Sequence, residues 1–327
     1  MSYHKSNYIV GVDLGGTTIS TALIDAQGHL QARTKCLTEA KKGAQVVVDK
    51  ICQSIEDVCS QKNFYPDELL TIGIGSPGPL STKTGIVIDA PNLDGWINVP
   101  LRDMVQKEFK PPVFLDNDAN AAAYGEFWVG AGKGLQNVIV ITLGTGVGGG
   151  LIIEGKLYRG PDDTSGEIGH TTVLLDGPLC SCGNRGCLEA LSSATALVNR
   201  TIDALRLGTK SSIIELCEND LHKITAKMVF DAATKDDKLA KELFRETGYY
   251  LGVACVSLVN ILNPEMIILF GGMIGAGELL FAPVRDEVKK RAFPTPAARV
   301  KIVPAILGDD AGSIGAAGIA LMELSSK

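Results

Sequence analysis

His170, Cys180, Cys182 and Cys187 crowd into one short segment, Glu167-Ile168-Gly169-His170, Gly177, then Cys180-Ser181-Cys182-Gly183-Asn184-Arg185-Gly186-Cys187-Leu188-Glu189. Three thiolates and one imidazole complete a tetrahedral zinc shell. The protein would fill all four positions, leaving none for a catalytic water, so the expected ion is structural. Gly183 and Gly186 let the backbone turn tightly about it. Glu167 and Glu189 stand on either side of this knuckle, and one ring nitrogen of His170 fixed on metal would orient the other toward a ligand. Zinc would then shape a substrate pocket indirectly, whereas on an ordinary surface the two glutamates would merely be solvated.

A second group is Asp116-Asn117-Asp118, at the end of an apolar run and ahead of a helix-forming stretch. A carboxylate there can accept the proton of an attacking hydroxyl, as phosphoryl transfer requires. Asp118 could equally be a helix cap, a position that favours Asp. The third group consists of glycine-rich turns after apolar runs: Asp13-Leu14-Gly15-Gly16-Thr17-Thr18, Leu143-Gly144-Thr145-Gly146-Val147-Gly148, and Phe270-Gly271-Gly272. Each can bring backbone N–H groups against a phosphate or nucleoside with no Cβ in the way. None is a G-x-x-x-x-G-K-[ST] loop. Gly144-x-Gly146-x-x-Gly149 has dinucleotide-fold spacing but leads into a strand-like Gly150–Ile153 rather than a helix.

These residues need a scaffold. Tyr8–Val12 and Thr18–Ile24 read as two strands of a meander, and the plan recurs at Val138–Thr142 and Gly148–Ile153, as in a diverged duplication. Val47, Ile51, Ile55 and Val58 mark a helix. Leu70–Ile74 and Val113–Leu115 mark crossover strands, with Ala119–Phe127 helical after the second. Further on, the pattern predicts a long helix over Lys235–Leu262 closed by Asn263-Pro264, a strand at Met266–Phe270, a helix at Gly277–Arg291, a strand at Val300–Val303 and a last helix at Asp310–Leu324.

Length and composition agree with an α/β enzyme. With 327 residues the prior is about two domains. A net charge of −6 opposes attraction to nucleic acid or anionic lipid. No apolar run approaches the ~18 residues of a membrane span, so neither nucleic acid nor membrane is an expected partner, and a cytoplasmic location is. Outside the cluster, Cys52, Cys59 and Cys255 fall in helical apolar patterns as small buried hydrophobes, while Cys36 and Cys217 have less clear settings.

The pattern E-x-G-H-x6-G-x2-C-x-C-G-x2-G-C-x-E is met at every specified position from Glu167 to Glu189. With the two phosphate-type turns and Asn117-Asp118-Ala119, it makes the whole chain resemble the ROK family (repressors, open reading frames and kinases) of the sugar-kinase and actin-like superfamily, and within it the bacterial glucokinases. The resemblance implies two actin-like (ribonuclease H-like) α/β lobes, a small one of residues 5–117 plus 313–327 and a large one of residues 118–312 carrying the knuckle 167–189. It implies that ATP with Mg²⁺ phosphorylates the 6-hydroxyl of glucose, giving glucose 6-phosphate and ADP, with Asp118 as catalytic base. By the same resemblance the sugar is held by Asn92 of Ala90-Pro91-Asn92-Leu93, Asn117, Asp118, Glu167, His170 and Glu189. The nucleotide would be held by Asp13, Gly15, Gly16, Thr17 and Thr18, by Gly144, Thr145, Gly146, Val147 and Gly148, and by Gly271 and Gly272 on the adenosine side. Structural Zn²⁺ would sit on His170, Cys180, Cys182 and Cys187.

Thr18 departs from the lysine of many relatives, leaving Mg²⁺ and backbone amides to neutralise phosphate charge. The lobes are expected to close over both substrates and exclude water, and relatives suggest a homodimer or homotetramer, with the long helix packing between subunits. The rivals are a kinase for mannose, N-acetylmannosamine, N-acetylglucosamine or fructose, a sugar-responsive regulator, and a non-catalytic zinc module. A regulator would carry a helix-turn-helix ahead of the first turn, where only about a dozen residues precede Asp13. The zinc module would leave the paired turns and Asp118 without a role.

Overall fold

A computed structural model describes residues 7–90 and 92–326. Pro91 of the Asn92 motif, and residues 5, 6 and 327 at the margins of the expected small lobe, lie outside the described residues. The chain forms two compact units: unit 1 is Met1–Gln136, Gly150–Gly166 and Ile306–Lys327, and unit 2 is Asn137–Gly149 and Glu167–Ala305.

Unit 1 begins with the antiparallel meander β1 (Tyr8–Leu14), β2 (Thr18–Asp25) and β3 (Leu30–Leu37), then α1 (Ala44–Ser60) and β4 (Thr71–Ser76). A small antiparallel sheet follows, β5 (Leu80–Ser81), β6 (Ile86–Asp89) and β7 (Ile97–Val99), then α2 (Leu101–Gln106), β8 (Val113–Asn117) and α3 (Asp118–Trp128). The main sheet has the order β3-β2-β1-β4-β8, with β4 parallel to both β1 and β8. The apolar stripe of α1 (Val47, Ile51, Ile55, Val58) is buried with Val10, Val12, Ile72 and Ile74 in one core cluster. Each such side chain contributes about 1.5–3 kcal/mol on leaving water.

Unit 2 holds β9 (Val138–Leu143). The next strands are β10 (Val147–Ile153), within which the division between units falls, and β11 (Lys156–Tyr158). Helices α4 (Leu188–Ser192), α5 (Ala194–Arg206), α6 (Ile213–Leu216), α7 (Ala226–Thr234) and α8 (Lys238–Leu262) precede β12 (Met266–Phe270), α9 (Glu278–Arg291), α10 (Pro294–Arg299) and β13 (Lys301–Pro304). The second sheet runs β11-β10-β9-β12-β13. Both sheets therefore share one plan, a three-stranded meander whose first strand is followed by two parallel strands. The expected duplication is present.

The helix predicted from Lys235 begins at Lys238, behind a separate α7 that ends at Thr234. Thr225 caps α7 by accepting from the Met228 amide, Asp236 takes a left-handed φ of 67°, and Asp237 caps α8 by accepting from the Ala240 amide. At its other end α8 closes on Asn263 with φ 48°, the left-handed C-terminal turn that Asn tolerates.

The last helix, α11 (Ala311–Ser325), belongs to unit 1 with α3, although α3 was expected at the start of the large lobe. A Cβ on Gly11 of β1 or Gly73 of β4 would collide with the carbonyls of Ser313 and Ala316 on α11, and one on Gly315 with the carbonyl of Ala121 on α3. Glycine is what lets these backbones touch.

Candidate active site

In unit 1 the carboxyl ends of three parallel strands bring polar residues side by side. Asp13 is in register with Gly75, and Gly75 with Asp116, so Asp13 and Asp116 stand on strands about 10 Å apart, two interstrand spacings. Ligands of open α/β sheets bind at such strand ends. Gly75 leaves space for α3, since a Cβ there would lie 3.0 Å from the Cβ of Ala121.

Asn117 caps α3, its Oδ1 accepting from the amides of Ala119 at 2.9 Å and Asn120 at 3.2 Å. The alternative of Asp118 as the cap is thereby corrected: Asp118 is the first helical residue, half-buried, with Oδ1 accepting from the Ala119 amide at 2.8 Å. Capping commits the oxygen of Asn117, which leaves its amide nitrogen as the group able to donate to a ligand.

The turn from β1 to β2 is closed by the Gly15 amide donating to the Thr18 carbonyl at 2.9 Å and pinned by Thr38 Oγ1 donating to the Gly15 carbonyl at 2.7 Å. A Cβ on Gly16 would meet the carbonyl oxygen of Asn92 at 2.9 Å. The structure thus seats exposed Asn92 on the first glycine turn. The amides of Gly16 and Thr17 have no hydrogen-bond partner among the described residues. The side-chain carboxylate of Asp13 likewise has no such partner, and burial pushes it up to about 6, with Lys35 opposing the rise and Asp309 adding to it.

Unit 2 brings together the remaining predicted residues. Ligand atoms of His170, Cys180, Cys182 and Cys187 all lie within 4.8 Å of one another. A tetrahedral ion with sulfur at about 2.3 Å and nitrogen at about 2.0 Å spaces two sulfurs by about 3.8 Å and a sulfur and nitrogen by about 3.5 Å. The Sγ atoms of Cys182 and Cys187 are 3.7 Å apart, and Cys180 Sγ lies 3.6 Å from His170 Nδ1. The donor set fits a tetrahedral, thiolate-binding ion with Nδ1 as the ligating nitrogen, leaving Nε2 for a ligand. Gly183 and Gly186 have φ of 88° and 68°, as the tight knuckle demands.

Glu189, at the start of α4, turns its Oε2 to the Val147 amide at 3.0 Å, and this oxygen occupies the space a Cβ on Gly146 would need. A Cβ on Gly169 would collide with the Val147 carbonyl, so the short helical turn Ile168–His170 also packs on this glycine turn. Exposed Glu167 begins it. The turn's own bond runs from the Gly144 amide to the Gly146 carbonyl at 3.0 Å, and Gly148 donates to Thr142 Oγ1 at 3.0 Å. The amides of Thr145 and Gly146 have no hydrogen-bond partner among the described residues. Gly271, with φ 105°, abuts Leu143 at the start of the same turn, and Gly272 follows it in the open.

Sequence reasoning missed an ionic network behind Asp118. Asp116 Oδ1 accepts from the Asn117 amide at 2.8 Å and from Asn120 Nδ2 at 2.9 Å, while Oδ2 accepts from Arg159 Nε at 2.6 Å. Arg159 also pairs with Glu323 at 3.0 Å. Burial pushes the Asp116 carboxyl upward and the Arg159 guanidinium opposes the shift. No spacing in the sequence points to an arginine so far along the chain.

Cys59 and Cys255 are buried as expected, with burial pushing both thiols up to about 12, whereas Cys52 is only half-buried. Cys217 is buried, donating to the Ile214 carbonyl, and Cys36 is half-buried on β3. No helix among the described residues is long and apolar enough to cross a membrane.

Comparison with known proteins places this geometry in context. The model of the ROK family matches residues 9–323. A glucokinase of Thermotoga maritima is 40% identical over 95% of this chain and 96% of its own length. A xylose repressor of Caldicellulosiruptor bescii is 34% identical over 97% of this chain and 79% of its own. Among solved structures, a ROK family glucokinase of Streptomyces griseus, in complex with glucose and AMPPNP, is 34% identical with a TM-score of 0.82, covering 96% of this chain and 99% of its own.

Proposed function

The chain belongs to the ROK family, and from that premise we propose that it transfers the γ-phosphoryl group of ATP to the 6-hydroxyl of glucose, giving glucose 6-phosphate and ADP. The observation that carries the reading is the placement of Asp118 as the first residue of α3 with the capping task taken by Asn117. Support also comes from the identity with a glucokinase and the likeness to one solved with glucose and AMPPNP.

The reaction assigns tasks to both units. Asp118 accepts the proton of the 6-hydroxyl as its oxygen bonds to the γ-phosphorus; the bond from phosphorus to the β,γ-bridging oxygen breaks in line, and its electron pair leaves with ADP. Asn92, the Asn117 amide, Glu167, His170 Nε2 and Glu189 are the groups assigned to sugar hydroxyls. The open amides of Gly16, Thr17, Thr145 and Gly146 receive phosphate oxygens, as donors fixed before the reaction. Gly15, Thr18, Val147 and Gly148 frame those two turns, while Gly271 and Gly272 take the adenosine side. Mg²⁺, when bound, withdraws charge from the phosphate oxygens. Asp13 would hold it, its carboxylate lacking a hydrogen-bond partner among the described residues.

The ion on the knuckle is assigned as Zn²⁺, favoured by three thiolates and one imidazole, and as structural because all four ligands are protein groups. A cytoplasmic homodimer or homotetramer is also proposed, with α8 as the contact, supported by the exposure of its Ile261 (76%).

Asp118→Asn keeps the shape and removes the base. Turnover is expected to fall about 10²–10⁴-fold, with Tm and glucose affinity nearly unchanged; near-normal kcat in the folded variant would exclude the role.

A further inference from the structure

Outside its one internal bond, the Gly144–Val147 turn is held from the segment that begins at Cys187. The Ala194 amide donates to the Gly144 carbonyl at 2.9 Å, Thr195 Oγ1 donates to the Thr145 carbonyl at 2.7 Å, and Glu189 Oε2 accepts from the Val147 amide at 3.0 Å. Gly146 has no room for a side chain because that same carboxylate oxygen fills the space. The other oxygen, Glu189 Oε1, accepts from Ser181 Oγ at 3.3 Å and lies 3.8 Å from Cys180 Sγ, inside the knuckle. One carboxylate thus touches the glycine turn with one oxygen and the metal cluster with the other.

We propose that Glu189 is a positioning residue for the nucleotide as well as a sugar ligand, and that through Glu189 and Thr195 the metal knuckle sets the geometry of the nucleotide-binding turn. The inference rests on the kinase reading above and deepens it. Its consequence is that metal loading controls nucleotide affinity even when no sugar is present. The physical reason is the separation of tasks: the Thr145 and Gly146 amides can meet phosphate only if the Gly144 and Thr145 carbonyls of the same peptide units and the Val147 amide are held elsewhere, and each of those holds comes from residues 187–195. Cys187 opens that stretch directly before α4, so a ligand bond to its thiolate fixes one end of the clamp.

The test is calorimetric titration of Mg-ADP, without sugar, into the metal-loaded protein and its variants. Glu189→Ala removes the acceptor for the Val147 amide and is expected to weaken Mg-ADP about tenfold, the loss typical of one charge-assisted hydrogen bond. Glu189→Gln retains a carbonyl oxygen for that amide, so it keeps most of the nucleotide affinity while glucose binding falls. Thr195→Val, on an exposed side chain, is expected to weaken Mg-ADP severalfold and leave glucose affinity unchanged. Chelating the metal should weaken Mg-ADP at least as much as Glu189→Ala. Should Glu189→Ala fail to fold, Thr195→Val decides. Folded variants and metal-free protein that bind Mg-ADP as the parent does would overturn the coupling but leave the kinase reading standing. A parent protein that binds no Mg-ADP would overturn both.

Discussion

Asp13 and Asp118 are both carboxylates at the ends of parallel strands, yet their surroundings suit them to different tasks. Asp118 meets its own helix, while Asp13 is half-buried beside Gly312 of α11 with a value raised from 3.8 to about 6. A raised folded value means that the folded chain holds this proton more tightly than the unfolded chain does. The stability it contributes is present below about pH 4 and lost as pH rises through about 6. Asp13→Asn is therefore expected to raise the unfolding free energy at pH 8 without Mg²⁺ by on the order of 2–3 kcal/mol, and Tm with it, with the gain vanishing near pH 4. The same variant should lose Mg-ATP affinity at least tenfold, and the parent's Mg-ATP affinity should fall as pH drops below about 6. Thermal scans and titrations across pH check both; an Asn variant less stable than the parent at pH 8 would contradict the assignment.

At the scale of elements, the contact of α11 with α3 and the sheet depends on glycines whose substitutions should differ. Gly315→Ala drives a methyl into the Ala121 carbonyl, whereas the nearest atoms to a Cβ on Gly318 are ring atoms of Trp128 and Tyr124 that can shift. Helix propensity favours both changes by about 1 kcal/mol, and overpacking costs about 1–3 kcal/mol or more where backbone cannot yield. Denaturant melts are expected to show clear loss for Gly315→Ala and a smaller effect for Gly318→Ala; equal effects would mean that α11 is not held backbone to backbone. The sequence made α11 legible as a helix through its composition but said nothing of its partner, because Gly312, Gly315 and Gly318 carry no periodic apolar signal. Strand β3 was not foreseen either: Leu30–Leu37 alternates poorly and ends in an exposed Leu37 (61%). The helix expected from Lys235 was too long because Asp236 and Asp237, whose turn and cap end one helix and start the next, resemble any charged helix surface.

For the molecule as a whole, the duplicated plan was legible because its markers are local: a glycine turn after an apolar strand, twice. The metal cluster was legible for the same reason, its four ligands lying close in sequence. What returns from afar was not. Arg159 reaches Asp116 and Glu323 reaches Arg159, and the carboxylate of Glu126, fully buried, accepts from the amides of Ile306 and Leu307 at 3.0 and 2.8 Å. Long-range closure of this kind has no spacing to read. The knuckle is expected to bind one zinc ion per chain, and chelation should lower Tm by several degrees with zinc released in proportion; an unchanged melt after complete metal loss would remove its structural role.

Phosphoryl transfer to a hexose would be read out by ADP release from Mg-ATP across glucose, mannose, fructose, N-acetylmannosamine and N-acetylglucosamine, with kcat/KM for each. We expect sugar-dependent release, highest with glucose and abolished in Asp118→Asn; zinc-loaded, folded protein that releases no ADP with any of the five would contradict the account.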